Sequence, residues 1–247
     1  MYVNSPHYER CFNVLRASPY FSTLSEEELS GIIVLFNYEV AVKKDARIEI
    51  AGPDQRFYIM LWGRAKVSTF NPNTGREVIL ELLTTGDAFD VFSLFDGKSR
   101  DVRVTALDDV EFMTTSLENV RGWIDRTPGL NRPVLRYLGE QMRDYAEYAE
   151  DVSLFDTETR LARLILRHMA STSPTRGLHV INDLSQETLA AMIGSVRVVV
   201  AQHFQAWRAE GILTTQKRRW DVIDIDGLIA KAKGPYRLNA EGHVTRL

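Results

Sequence analysis

Hydrophobic and polar residues follow a strand-like pattern through the first half of the chain. An apolar run covers residues 57–62, and Ala65, Val67 and Thr69 then alternate with polar neighbours. Such alternation is typical of a strand with one buried face. Segments of this kind are separated by glycines that recur at nearly even intervals: Gly52, Gly63, Gly75, Gly86 and Gly97. Short strands at this regular spacing predict an antiparallel sandwich or barrel.

A short helix is predicted ahead of these strands. Ser25 begins an acidic stretch, and Glu28 follows three residues later, which is the spacing of a capping box. Apolar residues then follow at helical spacing: Leu29, Ile32, Ile33 and Phe36.

After residue 127 the hydrophobic period becomes helical. Apolar residues alternate three and four positions apart, in the a/d pattern of a heptad: Leu135, Leu138, Met142, Tyr145, Ala149 and Val152. A narrow seam of this kind is typical of two helices that pack together, so we predict a dimer interface here. The alternative is a helix lying against its own barrel, which would need a similar stripe.

A helix over residues 158–169 is followed by the pattern of a helix-turn-helix. Ser185 is predicted to cap its first helix, Gly194 to form the turn, and Ser195 to cap the second helix. The buried face of the second helix would be Val196, Val200, Phe204 and Trp207. Residues 196–200 are rich in valine and favour a strand by propensity, but the predicted caps and the glycine turn outweigh that preference.

The exposed face of the second helix carries chemistry suited to DNA. Arg197 can donate two hydrogen bonds to guanine, and Val198 can pack on a thymine methyl group. Gln202 is placed to contact adenine or phosphate, while Ser185 and Gln186 are placed to hold the DNA backbone. This pattern predicts a recognition helix that lies in the major groove.

A hairpin with a basic tip is predicted after the second helix. Residues 214–225 read as two strands joined at Lys217 and Arg218, which would form a wing that contacts phosphates, or alternatively a solvated turn. Residues 160–220 carry nine Lys/Arg against three Asp/Glu, although the whole chain has a formal charge of −3. A basic segment attached to an acidic remainder is typical of a DNA-binding domain joined to another domain.

Composition excludes several function classes. The single cysteine, Cys11, rules out a disulfide framework and a four-cysteine iron–sulfur cluster. No histidine lies between residues 8 and 167, which disfavours a metal-dependent barrel enzyme. No apolar run approaches the ~20 residues of a membrane span, and no secretory signal is visible, so we expect a cytoplasmic protein without a membrane partner.

The order and spacing of many short matches resemble the CRP/FNR superfamily of bacterial transcription regulators. The matching residues are Gly52, Tyr58-Ile59, Gly63–Val67, Gly75–Glu77, Gly86-Asp87, Val104–Leu107, Leu130-Asn131, Gln141-Met142, Asp156, Arg160–Ala162, Leu184-Ser185, Gly194 and Arg197–Val200. The resemblance implies an α+β fold with three parts. These are an N-terminal jelly-roll barrel of the cyclic-nucleotide-binding type (residues 1–127), a long dimerisation helix (128–155) and a C-terminal winged helix-turn-helix (156–247).

The same resemblance implies the partners. Members bind as homodimers to a palindrome whose half-sites lie about 34 Å apart, and we also expect RNA polymerase as a partner. In this family the residue after the recognition arginine is commonly glutamate in cyclic-AMP receptors, whereas this chain has Val198. Arg197-Val198 with Val200 is closer to the nitrogen-control branch, so the preferred half-site is expected to differ.

By resemblance, the effector pocket is degenerate. The family's phosphate cassette falls on Phe89, Asp90, Val91, Arg100 and Asp101. Its ribose-binding glutamate has become Val91, and the serine that contacts the cyclic phosphate has become Asp101, whose carboxylate would repel that phosphate. The adenine contacts fall on Ala149 and Glu150. We therefore predict that cyclic AMP is not the effector, and that Asp90 or Asp101 neutralises Arg100.

Other signals stay open. No cofactor is predicted, although His7 or Cys11 could reach a haem, and the barrel could take another small molecule or none. The segment between Met142 and Asp156 is about one helical turn shorter than in cyclic-AMP receptors, which favours DNA binding without an effector. The alternatives to a DNA-binding regulator are a sensor or scaffold of the same fold and, least favoured, a barrel enzyme.

Overall fold

The computed structural model describes residues 5–18, 21–48, 56–89, 91–98, 100–171, 177–217 and 219–246. The chain forms two compact units. The first unit comprises residues 1–70 and 80–144, and the second unit comprises residues 71–79 and 145–247.

The first unit is built on two four-stranded antiparallel sheets, as predicted. One sheet has the order β1-β8-β3-β6 and the other the order β2-β7-β4-β5. The strands are β1 (Asn37–Val42), β2 (Arg47–Ile48), β3 (Arg56–Trp62), β4 (Ala65–Phe70), β5 (Glu77–Leu83), β6 (Ala88–Phe89), β7 (Arg103–Ala106) and β8 (Val110–Ser116).

Helices accompany these sheets. They are α1 (Tyr8–Ala17), α2 (Glu26–Ile33), α3 (Val91–Asp96), α4 (Leu117–Arg126) and the long α5 (Asn131–Leu154), which follows a 3-10 turn at Pro128–Leu130. The capping box predicted for α2 is confirmed. The Glu28 backbone N–H donates to Ser25 Oγ at 3.2 Å, and the Ser25 N–H donates to Glu28 Oε2 at 2.8 Å.

Strand β3 explains why residues 57–61 are apolar without alternation, whereas Trp62 at its end is 60% exposed. Phe57, Ile59 and Leu61 belong to a core shared with the helices, whereas Tyr58 and Met60 point into a second core between the sheets. Both faces of the strand are therefore buried over these residues. A strand of this kind is apolar throughout, whereas a strand with one solvent-exposed face alternates apolar and polar residues.

Helix α5 buries one face and exposes another. Tyr137 is buried and donates its hydroxyl hydrogen bond to the Ala88 carbonyl at 2.9 Å, and Leu138 is half-buried against the helical core. In contrast, Leu135 and Met142 are 67% and 68% exposed. Tyr145 is half-buried, and Ala149 and Val152 are exposed. The apolar seam is thus mostly uncovered in the single chain.

The second unit follows along the chain from α5 and consists of helices and two β-hairpins. Its elements are α6 (Thr157–Ala170), a 3-10 turn (Leu178–Val180), α7 (Gln186–Met192), α8 (Arg197–Ala209), β9 (Leu213–Gln216), β10 (Arg219–Val222), α9 (Ile225–Ala232), β11 (Tyr236–Leu238) and β12 (Val244–Arg246). Asp156 caps α6 by accepting from the Thr159 N–H at 2.8 Å. The Lys233 ammonium and this N–H hold the pKa of the Asp156 carboxyl well below its usual range.

A buried ion-pair network joins the end of α5 to α6. The Asp151 carboxylate is buried and accepts from Arg163 Nη1 at 3.0 Å and from Arg167 Nη1 at 2.5 Å. Arg163 is buried as well and donates from Nε to the Ala232 carbonyl at 3.0 Å. Two arginines therefore share one buried carboxylate, so loss of the Asp151 charge is expected to cost more stability than loss of a surface charge.

The C-terminal hairpin β11–β12 packs on this region, an element that sequence analysis did not predict. Tyr236 and Val244 are buried, and Arg246 pairs with Glu147 of α5. In the described part of the chain, no helix is long and apolar enough to cross a membrane.

Candidate nucleic-acid interface

The turn between α7 and α8 has the geometry of a helix-turn-helix. Ser185 Oγ accepts from the Thr188 N–H at 3.1 Å and so caps α7, as predicted. Gly194 has φ +61°, and a Cβ added there would lie 3.1 Å from the Tyr148 hydroxyl. Arg160 Nη1 donates to the Ile193 carbonyl at 2.9 Å. A glycine is therefore needed at residue 194 both for its backbone conformation and for the close approach of Tyr148.

The predicted cap of α8 is wrong. Ser195 is buried and its backbone N–H donates to the Ala190 carbonyl at 2.8 Å, which ends α7 rather than starting α8. Val196 is the N-cap residue, without a side-chain cap, and it is 52% exposed instead of buried. Because its backbone is extended, the side chain of Val196 lies outside the helical repeat that buries Val200.

The remaining face assignments of α8 are confirmed. Val200, Phe204 and Trp207 are buried, while Arg197 and Val198 are exposed at the first turn of the helix. Gln202 and Gln205 are exposed on the following turns. Within the described residues, the Arg197 guanidinium makes no hydrogen bond or ion pair. The helix thus presents a guanidinium, a methyl group and amides on one open surface.

Three contacts fix the buried side of α8. The Trp207 indole N–H donates to Glu158 Oε1 at 2.9 Å, and His203 Nε2 lies 2.9 Å from Thr157 Oγ1. Phe204 meets the Trp220 ring edge-on at 5.6 Å between centroids. Burial lowers the pKa of His203. Rigid support from α6 and β10 holds the exposed face in one orientation, as a surface that reads base edges requires.

The predicted wing is present. Strands β9 and β10 pair antiparallel, with Gln216 opposite Arg219, and Lys217 takes φ +55° at the tip. The backbone N–H of Trp220 donates to the Asn182 carbonyl at 3.0 Å and anchors the hairpin. Lys217 and Arg219 are exposed. Arg218 lies outside the described residues. Of the other predicted backbone contacts, Ser185 is exposed and Gln186 half-buried, at the start of α7.

In the first unit, the arginine of the predicted effector pocket already has an acidic partner. Arg100 Nη1 lies 2.8 Å from Glu81 Oε1, and its guanidinium carbon lies 5.1 Å from the centre of the Phe92 ring. Glu81 was not singled out from the sequence. Asp101, one of the two residues predicted to neutralise Arg100, is exposed. The other, Asp90, lies outside the described residues.

The remaining pocket residues belong to packed cores. Phe89 is buried in the core between the sheets, and Val91 is buried in the helical core. Neither side chain offers a polar group to a ribose or phosphate.

Comparisons with known proteins match both units. A family model for the cyclic nucleotide-binding domain matches residues 41–127, and a model for the Crp-like helix-turn-helix domain matches residues 159–231. The chain belongs to the CRP/FNR family of transcription regulators. It is therefore a regulator with a helix-turn-helix DNA-binding domain, and not an enzyme.

Two relatives agree with this family, and one solved structure shares the fold. The chain is 26% identical over 183 residues to the CRP-like cAMP-activated global transcriptional regulator of Mycobacterium tuberculosis, covering 73% of this chain and 81% of that protein. It is 27% identical over 171 residues to the Global nitrogen regulator of Nostoc sp., covering 68% and 76%. A CooA mutant from Carboxydothermus hydrogenoformans shares the fold, with a TM-score of 0.69 at 19% identity over 82% of this chain and 90% of that one.

Of the two residues that could reach a haem, Cys11 lies in α1 and His7 lies just before it. Cys11 is fully buried, and burial raises the pKa of its thiol to about 11, so a thiolate ligand is disfavoured. The His7 ring stacks on Tyr38 with centroids 3.7 Å apart. Among the described residues, no group of three His, Cys, Asp or Glu side chains is arranged to hold a metal ion.

Proposed function

We propose that the chain is a homodimeric, sequence-specific regulator that binds a DNA palindrome through α8 and the wing. The observation that carries this proposal is the open face of α8, where Arg197, Val198 and Gln202 are exposed on a helix whose opposite side is fixed by buried aromatic residues. A recognition helix requires this combination of an exposed donor set and a rigid back. We also propose that RNA polymerase is a partner of the protein and that the protein is cytoplasmic.

The exposed seam of α5 supports the dimer. Leu135 and Met142 lie one heptad apart, Ala149 lies a further heptad along, and all three are exposed. Apolar side chains at a heptad spacing on the open side of a helix gain free energy when a second copy covers them. A two-fold dimer would present two copies of α8, as a palindrome requires.

We further propose that cyclic AMP does not control this regulator, and that it binds DNA without an effector. One relative is named for activation by cyclic AMP and another for nitrogen regulation, so their names do not decide the signal. The pocket residues support the proposal. Val91 is buried and apolar where the resemblance needs a ribose acceptor, and Arg100 is paired with Glu81.

Arg197→Ala tests the recognition face. Loss of a bidentate contact to guanine is expected to cost about 1–3 kcal/mol per half-site and to relax sequence preference at one base pair. The measurement is a titration of wild type and variant against the palindrome that wild type selects from random DNA, and against single-base variants of that palindrome.

Arg208→Ala is the matched control, because Arg208 is exposed on the last turn of the same helix. The change removes the same charge, but at the end of α8 opposite to Arg197. It should therefore leave the preference at every base pair unchanged. If both variants weaken binding equally and neither changes base preference, Arg197 contacts phosphate only and the base-reading role is refuted.

Lys217→Asn tests the wing. Asparagine tolerates the left-handed backbone at this position, so the change removes the charge without adding strain. Binding should weaken alike for all sequences, and the slope of log affinity against log salt should fall by about 1 per half-site. Gln216→Ala, at the adjacent uncharged residue, should leave that slope unchanged. An unaltered slope in Lys217→Asn would show that the tip is a solvated turn.

A further inference from the structure

The barrel of the first unit holds a carboxylate at the place where the resemblance puts an anionic ligand. We propose that Glu81 acts as a built-in anion for Arg100 and so excludes ligands that carry phosphate from this site. The inference rests on the proposed function, since it gives a physical reason why a cyclic nucleotide does not control this regulator.

The contact itself is the first support. Glu81 Oε1 and Arg100 Nη1 are 2.8 Å apart, and the two side chains are only 9% and 20% exposed. At this distance the pair has the geometry of a charge-assisted hydrogen bond. Exclusion of water strengthens the attraction relative to a surface pair, and it also makes either charge costly to leave alone.

The position of Glu81 in the sheet is the second support. Glu81 lies two residues before Leu83 on β5, so the two side chains share one face of the strand. Leu83 belongs to the core between the two sheets. The Glu81 carboxylate therefore enters from the barrel wall toward its interior, where the counter-charge of Arg100 can reach it.

Phe92 of α3 completes the arrangement. Its ring lies 5.1 Å from the Arg100 guanidinium carbon, within the range of a cation–π contact. The guanidinium is thus held by the ring and by the carboxylate. A phosphate could bind Arg100 only by displacing an attached carboxylate, or by lying beside it at the cost of repulsion between two anions.

The test is to neutralise Glu81 and offer an anion. Wild type and Glu81→Gln are titrated with inorganic phosphate by isothermal calorimetry, and their thermal unfolding is compared in sodium phosphate and in sodium chloride of equal ionic strength. We expect Glu81→Gln to bind phosphate roughly tenfold or more tightly than wild type, and its unfolding midpoint to rise in phosphate relative to chloride. Glu81→Ser is measured in parallel, since its smaller side chain gives a second chance of a folded protein.

Two further variants assign the effect. Glu81→Gln/Arg100→Gln should lose the phosphate response. Glu111→Gln removes a carboxylate that pairs with Arg10 at 2.6 Å, elsewhere in the same unit, and should gain no response. If neither Glu81 variant binds phosphate better than wild type, or if wild type already binds it as well, the proposal is overturned. No DNA is used, so a failure of the proposed DNA binding would be detected separately.

Discussion

Met142→Glu is expected to convert the protein from a dimer to a monomer and to weaken operator binding by roughly a hundredfold or more. Met142 is 68% exposed on the apolar seam of α5, so the free chain tolerates the change, but a dimer would bring two carboxylates together in a desolvated seam. A monomer carries one recognition helix and so loses about half of the specific contacts. Sedimentation velocity and operator titration measure the two effects.

Residue 142 is a better target than Leu138 in the same seam. Leu138 is half-buried against the core of its own unit, so a charge there would also disturb the fold. Arg143→Gln is the matched control, since it changes the net charge by the same amount at an exposed neighbouring residue outside the a/d seam. A Met142→Glu protein that stays dimeric, or a monomer that binds the operator fully, would refute the seam as the interface.

Asp151→Asn is expected to lower the free energy of unfolding by about 3–5 kcal/mol. The side chain keeps its size but loses its charge, and the buried Arg163 and the half-buried Arg167 lose the carboxylate that they share. Breaking a buried ion pair costs this much because Arg163 stays buried after the carboxylate is lost, and the 47% exposed Glu150 balances its charge only weakly. Urea unfolding at one fixed protein concentration gives the free energy of unfolding.

Glu150→Gln provides the control on the adjacent residue. Its carboxylate also lies near Arg163, at 3.3 Å, but its side chain is 47% exposed. Solvent screens such a pair, so the loss should stay within about 1 kcal/mol. If the two substitutions lower the free energy of unfolding equally, burial of Asp151 does not determine how much its ion pairs contribute to stability.

The sequence predicts most of the fold because its elements are marked by local signals. The capping box at Ser25, the glycine at residue 194 and the turn at Lys217 each lie where the structure places them. The exposed and buried sides of α8 follow from helical spacing, apart from its start. Periodicity cannot locate the residue at which a helix begins when no side chain caps it, which is why Ser195 and Val196 were misassigned.

Two other elements had weaker signals. Helix α1 buries Cys11 and Leu15, four residues apart, and Phe12 and Val14 pack against the same core, but charged residues interrupt this short segment and no side chain caps its start. The terminal hairpin alternates Tyr236 and Leu238 around exposed Arg237, but its strands have only three residues each. Such short strands gain their stability from packing on other elements, which local sequence does not show.

The ion pairs could not be predicted in the same way. Glu81 follows two apolar residues and precedes two more, so alternation does not show which face it occupies. Its pairing with Arg100 depends on closure of the barrel, and the pairing of Asp151 with two arginines depends on how α5 meets α6. Contacts between distant segments follow from tertiary packing and not from the local pattern.

Selection of DNA from a random pool shows whether the protein binds a palindrome without an effector. The purified wild-type protein, without any added ligand, is used at moderate salt, and a parallel selection contains cyclic AMP. We expect the same palindrome in both selections, with half-sites about 34 Å apart between centres. A palindrome that emerges only with cyclic AMP, or no enriched sequence in either selection, would contradict it.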